Sequence, residues 1–102
     1  MYETQIGRGV QVLNAYYEGR EQSNWKSLID LSRFNIRQVD SCVLGQLFGD
    51  YYDGLDELGI ADSGFTKYDL AFSLPDFGMY TYGEEMEMWD KLQEEWKEEI
   101  CS

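Results

Sequence analysis

The sequence contains no histidine, two cysteines and a single proline. Because histidine is the commonest general base near neutral pH and the commonest transition-metal ligand, its absence excludes Ser-His-Asp and Cys-His catalysis within this chain. Cys42 and Cys101 are too few for a disulfide framework, so two reduced thiols are expected. Zinc would need these two distant cysteines together with carboxylates, so no zinc site is expected. The scarcity of proline argues against a linker-like chain.

Long apolar runs and an N-terminal targeting pattern are also missing. No window approaches the roughly 18 uninterrupted apolar residues that indicate a transmembrane helix. Met1 is followed by Tyr-Glu-Thr-Gln, without a basic start or an apolar run, so no signal peptide is expected. These absences predict a protein of the host cell cytosol that has no contact with a membrane.

The chain does contain enough apolar material for a core. Of its 102 residues, 43% are hydrophobic and 16% are aromatic. Such a composition is typical of a folded chain, and the length suits one domain and not two. We therefore expect a single domain over residues 1–102.

The charge is strongly acidic and unevenly distributed. Acidic residues outnumber basic ones by 20 to 8, which gives a formal net charge of −12. Residues 1–40 are balanced, so the whole excess lies in residues 41–102. A surface of this kind repels nucleic acid and anionic membranes and attracts basic proteins. The expected partner is therefore a basic protein, with no direct binding of nucleic acid.

Apolar spacing predicts a mainly α-helical fold. Residues 3–22 carry an apolar residue at every third or fourth position, although two glycines favour a later start. The stripe from Leu44 to Leu58 is the clearest in the chain, and its glycines leave open whether one helix or two form it. Gly59 is expected to end it. Residues 84–100 predict a further helix, with glutamates at its start and tryptophans along its apolar stripe.

These segments predict a three-helix core built from two of the stripes. Its members are Leu44, Leu47, Phe48, Trp89, Leu92 and Trp96. Residues 65–82 lack a helical period, and their apolar residues alternate instead. An α+β variant of the fold, with a small hairpin around 65–82, therefore stays open.

No motif in the chain indicates a metal, a cofactor or a reaction. The run from Asp50 to Glu57 is rich in carboxylates, but an EF-hand loop needs oxygen ligands at positions 1, 3 and 5 and glycine at 6. Here Tyr52 is third and Gly54 is fifth. Paired carboxylates are expected by chance in so acidic a chain, and chains of about 100 residues rarely build an active-site cleft. We expect a protein without cofactors that is not an enzyme.

Tyrosine beside acidic residues indicates a protein-binding surface. In the pair Tyr51-Tyr52, one ring must face away from the core, and exposed tyrosine is enriched at interfaces. Carboxylates pair with arginine and lysine much as phosphates do, so such a patch can occupy a basic nucleic-acid groove. The simpler alternative is a solvated acidic face with an incidental tyrosine. The candidate contacts are Asp50, Tyr52, Asp53, Asp56, Glu57, Glu94, Glu95 and Glu98.

Several short stretches carry a resemblance to known sequences. They are Trp25 with Leu28-Ile29-Asp30, then Cys42-Val-Leu-Gly-Gln-Leu-Phe-Gly-Asp-Tyr51, Gly54-Leu55, Leu58-Gly59, Gly64-Phe65 and a C-terminal helix containing tryptophan. With them the chain resembles small uncharacterised proteins encoded by phages and prophages of Gram-positive bacteria. The resemblance carries over no catalytic residues. It implies a phage or mobile-element origin, where small acidic proteins, anti-CRISPR proteins among them, often inhibit host defence.

Charge, aromatic pattern and resemblance together predict an inhibitor. It would bind a basic, nucleic-acid-handling host protein, such as a CRISPR effector nuclease, and block its nucleic-acid site. The alternative is a homo-oligomeric structural or regulatory phage protein. In that case the tyrosines and the helix face of Gly45 and Gly49 would form the interface between copies.

Overall fold

The fold is mainly α-helical, as predicted. The computed structural model describes residues 2–20, 24–74 and 82–102, and within these ranges it has four α-helices, two short 3-10 helices and no strand. The α-helices are α1 (Glu3–Tyr17), α2 (Val43–Phe48), α3 (Tyr51–Glu57) and α4 (Tyr82–Cys101). The 3-10 helices span Trp25–Leu28 and Ile60–Asp62.

The first helix begins at the first residue of its predicted range, 3–22, but it ends before the last. α1 begins at Glu3 and does not start later, because Gly9 lies against the backbone of Leu70 and the packing favours a glycine there. It ends at Tyr17 and does not continue to residue 22, because the backbone of Glu18 is extended. Tertiary packing therefore overrides the weak helix propensity of glycine in this segment.

The central apolar stripe forms two helices, which is one of the two arrangements that its glycines left open. Gly49 takes a left-handed φ of +92° and ends α2. The Asp50 carboxylate then accepts a hydrogen bond of 2.8 Å from the Tyr52 N–H, which caps the start of α3. α3 ends before Gly59, whose φ is +66°. The short break between Phe48 and Tyr51 thus gives the two-helix arrangement.

The predicted core is confirmed for half of its members. Leu44, Leu92 and Trp96 are buried, whereas Leu47, Phe48 and Trp89 are half-buried and pack against the core from its edge. Other fully buried large side chains come from α1, the first 3-10 helix, α2 and the loop before α4. They are Leu13, Trp25, Val43 and Leu70.

Residues 65–74, the described part of the loop before α4, contain turns and bends and no strand. Its residues Leu70 and Phe72 are buried, and Phe72 stacks on Trp96 with 5.8 Å between ring centres. The Trp96 indole N–H donates a hydrogen bond of 2.7 Å to the carbonyl of Ala71. Residues 75–81, where the second strand of the predicted hairpin would lie, are outside the described residues. The alternating side chains of Leu70, Phe72 and Leu74 are therefore buried against the core without pairing of β-strands in residues 65–74.

The two cysteines lie in different environments. Cys42 is buried and caps the start of α2, where its sulfur accepts a hydrogen bond from the Gly45 N–H at 3.3 Å. Burial raises the pKa of the Cys42 thiol, so the reactive thiolate is disfavoured. Cys101, at the end of α4, is exposed. The two thiols should therefore differ in reactivity while the protein is folded.

We expect a thiol reagent such as Ellman's reagent to label the folded protein rapidly at Cys101 alone. Cys42 should react only when urea unfolds the chain, because the reagent cannot reach a buried thiol. The measurement is the absorbance of released thiolate with and without urea. In the Cys101→Ser variant the fast phase should vanish, and a fast phase that persists would contradict the buried position of Cys42.

Candidate functional site

Five of the predicted contact residues lie together at α3. Asp50 precedes the helix, and Tyr52, Asp53, Asp56 and Glu57 follow at positions that an α-helix places on one side. The last four are exposed, and Tyr52 has 61% of its surface accessible. These five residues are called the α3 patch below. The chain thus brings four carboxylates and one exposed ring onto a single short helix.

Two carboxylates of the α3 patch form hydrogen bonds within the described part of the chain, and two do not. The Asp50 carboxylate caps the helix, and Glu57 accepts a hydrogen bond of 2.9 Å from the Tyr16 hydroxyl. That hydrogen bond to Glu57 raises the pKa of Tyr16. The side chains of Asp53 and Asp56 have no hydrogen bond or ion pair to any other described residue. Their carboxylates are therefore available to a partner.

The three predicted contacts on α4 do not form a set. Glu94 and Glu98 are exposed on the outer side of the helix. Glu95 is half-buried, and its Oε1 accepts a hydrogen bond of 2.9 Å from the backbone N–H of Tyr2. Glu95 therefore anchors the start of α1 and is not a free surface carboxylate.

The α4 acids also lie apart from the α3 patch. Glu57 contacts Tyr16 near the end of α1, and Glu95 contacts Tyr2 at its start. Fourteen residues of helix, or about 21 Å, separate these two tyrosines along α1. The eight predicted contacts thus belong to two surfaces. One surface is the α3 patch, and the other is the outer side of α4. The exposed residues on that side of α4 are one lysine and five acids: Lys91, Glu84, Glu87, Asp90, Glu94 and Glu98.

A groove that the sequence did not indicate lies next to the α3 patch. It has a volume of about 280 Å³ and separates the start of α3 from the first half of α4. Its described lining includes Tyr51, Tyr52, Val39, Ser73, Glu85 and Trp89. Tyr52 therefore belongs both to the α3 patch and to the wall of the groove. The pair Tyr51-Tyr52 was the one feature of the sequence that pointed to this region, because one of its two rings had to face away from the core.

The hydroxyl of Tyr51, the inward-facing residue of that pair, is buried. Tyr51 is 9% exposed, and its hydroxyl lies beside Ser73 without a hydrogen bond of normal geometry. Burial raises the pKa of Tyr51 to about 12, so the hydroxyl stays neutral at physiological pH. On the opposite wall, the Arg37 guanidinium lies 5.7 Å from the centre of the Trp89 ring. The groove thus combines aromatic walls with a buried tyrosine hydroxyl that lies beside Ser73.

The glycine face proposed for self-association is closed by the chain itself. A Cβ atom at Gly45 would collide with the backbone of Val39 and Asp40, so these residues already cover that face. Gly49 is not on the same helical face, because it ends α2 in a left-handed conformation. The close approach that Gly45 permits is therefore used within one molecule. The Gly45 and Gly49 pair gives no support to an interface between copies.

No group of three or more histidine, cysteine, aspartate or glutamate side chains among residues 2–20, 24–74 and 82–102 could hold a metal ion. None of the helices in these ranges is long and apolar enough to cross a membrane. Comparisons with protein-family models, with curated proteins and with solved structures found no match to this chain. The α3 patch and the adjoining groove are thus the features from which a function has to be inferred.

Proposed function

We propose that the protein acts by binding and not by catalysis, and that the α3 patch is its contact surface. The partner is a basic, nucleic-acid-handling host protein, for example a CRISPR effector nuclease, and the bound patch covers its nucleic-acid site. The observation that carries this proposal is the α3 patch itself, where exposed Tyr52 lies beside Asp53 and Asp56.

The charges of the α3 patch suit a basic partner. Asp53 and Asp56 are one helical turn apart, so both carboxylates face the same way and repel each other modestly. Arginine and lysine side chains of a partner relieve that repulsion and form charge-assisted hydrogen bonds. Tyr52 adds apolar contact area where a nucleic-acid base would stack. The patch thus offers what a nucleic-acid site recognises, which is negative charge next to an aromatic ring.

The partner is found by retaining host-lysate proteins on the immobilised chain at low salt and eluting them at high salt. We expect mass spectrometry to identify a basic nucleic-acid-binding protein in the high-salt fraction, because screening weakens contacts between exposed charges. Adding the chain to that protein should then release its bound nucleic acid in a competition assay. Retention without competition would contradict the proposed blocking of the nucleic-acid site.

The double variant Asp53→Lys and Asp56→Lys should weaken binding to that protein roughly tenfold or more, about 1.4 kcal/mol. Each substitution replaces an attraction by a repulsion, and exposed pairs contribute a few tenths to one kcal/mol each. Calorimetric titration measures the affinity, and urea unfolding should show little change in stability because both side chains are exposed.

The matched control is Glu94→Lys with Glu98→Lys, which makes the same change in net charge on the outer side of α4. We expect this variant to alter affinity less than threefold. Equal losses in both double variants would indicate attraction to the overall charge and no specific α3 interface. If the protein instead sediments as an oligomer without any partner, the alternative of a homo-oligomeric structural or regulatory protein would be favoured.

A further inference from the structure

Arg20, which follows α1, is held in a fixed position on the protein surface. Gly19 takes a left-handed φ of +78°, and the backbone N–H of Arg20 donates a hydrogen bond of 3.1 Å to the carbonyl of Tyr17. This turn folds the side chain back onto α1, where its Nε donates to the carbonyl of Tyr16 and its guanidinium lies 4.0 Å from the centre of the Tyr16 ring. These contacts remove much of the rotamer freedom that an exposed arginine otherwise loses on binding a partner.

The Tyr16 ring places this guanidinium at one end of the α3 patch. The Tyr16 hydroxyl donates a hydrogen bond of 2.9 Å to Glu57, so a single ring separates Arg20 from a carboxylate of the patch. Asp53 lies one helical turn before Glu57, and Asp56 is next to it in sequence. The surface therefore carries a group of carboxylates that is bordered by one fixed positive charge.

Most of the hydrogen-bonding capacity of Arg20 is unused. Its side chain is exposed, and of the five N–H donors of a guanidinium the described residues engage only that of Nε. No carboxylate in the described part of the chain forms an ion pair with Arg20, although acidic residues outnumber basic ones by 20 to 8. Nη1 and Nη2 are thus left as a fixed pair of donors. Such a pair matches the two oxygens of a carboxylate.

We infer that Arg20 binds an aspartate or glutamate side chain of the basic partner and thereby determines which basic protein the α3 patch accepts. The partner's arginine and lysine side chains then face Asp53 and Asp56, while its carboxylate accepts hydrogen bonds from the Nη atoms of Arg20. A basic surface without that carboxylate meets a repelling charge at this end of the patch, so it binds less tightly. The inference rests on the proposed function and adds the charge pattern that the partner must have.

A carboxylate suits this position better than a nucleic-acid phosphate. The neighbouring carboxylates of the α3 patch and the net charge of −12 repel a strand that carries a phosphate at every nucleotide. A single carboxylate on a basic protein meets no such repulsion, because the basic side chains around it compensate for its charge.

The test compares two ligands by calorimetric titration: the partner retained from lysate, and an amidated oligolysine peptide that has no carboxylate. We expect Arg20→Ala to weaken binding of the partner roughly threefold to tenfold and to strengthen binding of oligolysine up to about twofold, because Arg20 attracts the first and repels the second. Arg20→Lys should leave oligolysine binding unchanged but weaken the partner, since an ammonium group lacks the planar pair of donors. Changes in the same direction for both ligands in Arg20→Ala would overturn the inference.

Two control variants separate direct contact from other effects. Arg33→Ala removes the same charge from an exposed arginine outside the α3 patch, and Tyr16→Phe keeps the ring under Arg20 but removes the hydrogen bond to Glu57. We expect each to change the affinity for the partner less than roughly twofold. A loss in Tyr16→Phe as large as that in Arg20→Ala would show that Arg20 acts by placing Glu57, and the inference would be wrong. An equal loss in Arg33→Ala would overturn it as an effect of overall charge.

A crosslink identifies the group that lies opposite Arg20. In the Arg20→Lys variant, saturated with the partner, a water-soluble carbodiimide should join the introduced amine to a partner carboxylate as an amide. Mass spectrometry of the digested complex then gives the residue, which we expect to be an aspartate or glutamate. Absence of any crosslink from position 20 to the partner would count against the inference.

The two proposals fail in different experiments. If Asp53→Lys with Asp56→Lys loses the partner while Arg20→Ala binds it as tightly as the unchanged chain, the inference is overturned and the proposed function stands. If no basic partner is retained from lysate, the proposed function is overturned and the inference falls with it.

Discussion

Replacing Trp96 with alanine is expected to lower the free energy of unfolding by about 3–5 kcal/mol, as is usual when a large aromatic side chain is removed from a core. Trp96 has no accessible surface, stacks on Phe72 at 5.8 Å and packs against Gly9 of α1. Its indole also donates to the Ala71 carbonyl at 2.7 Å. One side chain on α4 thus connects α1 with the loop before α4, and its loss leaves a cavity where these three elements meet.

Two milder variants show how much of this loss in the free energy of unfolding comes from the hydrogen bond of Trp96 and how much depends on its central position. Trp96→Phe keeps a ring beside Phe72 but leaves the Ala71 carbonyl without its donor, so a loss of about 1–3 kcal/mol is expected. Trp89→Phe, on the same helix but half-buried, should cost less than about 1 kcal/mol. Urea unfolding followed by circular dichroism gives these values without relying on tryptophan fluorescence. Equal losses for Trp96→Phe and Trp89→Phe would contradict the central position of Trp96.

The helical fold could be predicted because apolar spacing follows from helix geometry alone. The stripe of Leu92 and Trp96 requires only that residues three or four apart share a face, and both residues are buried. The break at Gly49 was predictable only as an alternative, since a glycine can either continue a helix or end it in a left-handed conformation. Which outcome occurs depends on Asp50 as a cap and on the packing of both short helices.

The loop before α4 illustrates what local pattern cannot decide. Leu70, Phe72 and Leu74 alternate as they would in a strand, and all three are buried. Their burial comes from contacts with α1 and α4, which are distant in sequence, and no neighbouring strand is needed for it. Alternation indicates that one side of an extended or turning segment faces the core, but it does not identify what the core consists of.

The part of the candidate site that lies on one short helix could be predicted from the sequence. Asp53, Asp56 and Tyr52 share a side of α3 because they are close in sequence. The position of Glu95 was not predictable, because sequence gives no distance between helices and does not show that Glu95 accepts a hydrogen bond from the backbone N–H of Tyr2. The groove was missed for the same reason, since its walls come from α3, α4 and the segments before them.

Glycine-to-alanine substitutions at positions 7 and 9 are expected to change stability in opposite directions, although both lie in α1. A Cβ atom at Gly7 would have no other atom within 4 Å, so Gly7→Ala gains helix propensity and should raise the free energy of unfolding by about 0.5–1 kcal/mol. At Gly9 the added carbon collides with the backbone carbonyl of Leu70 and lies 3.3 Å from the Trp96 ring.

The carbonyl of Leu70 belongs to a backbone held in place by buried side chains, so it cannot move as the end of a flexible side chain would. Overpacking of this kind typically costs about 1–3 kcal/mol and sometimes more, which exceeds the propensity gain. We therefore expect Gly9→Ala to lower the free energy of unfolding by about 2 kcal/mol, some 3 kcal/mol below Gly7→Ala. Urea midpoints of the two variants provide the comparison. If Gly9→Ala were as stable as Gly7→Ala, the loop before α4 would not be seated against α1, and Trp96 would lose its role as the contact between them.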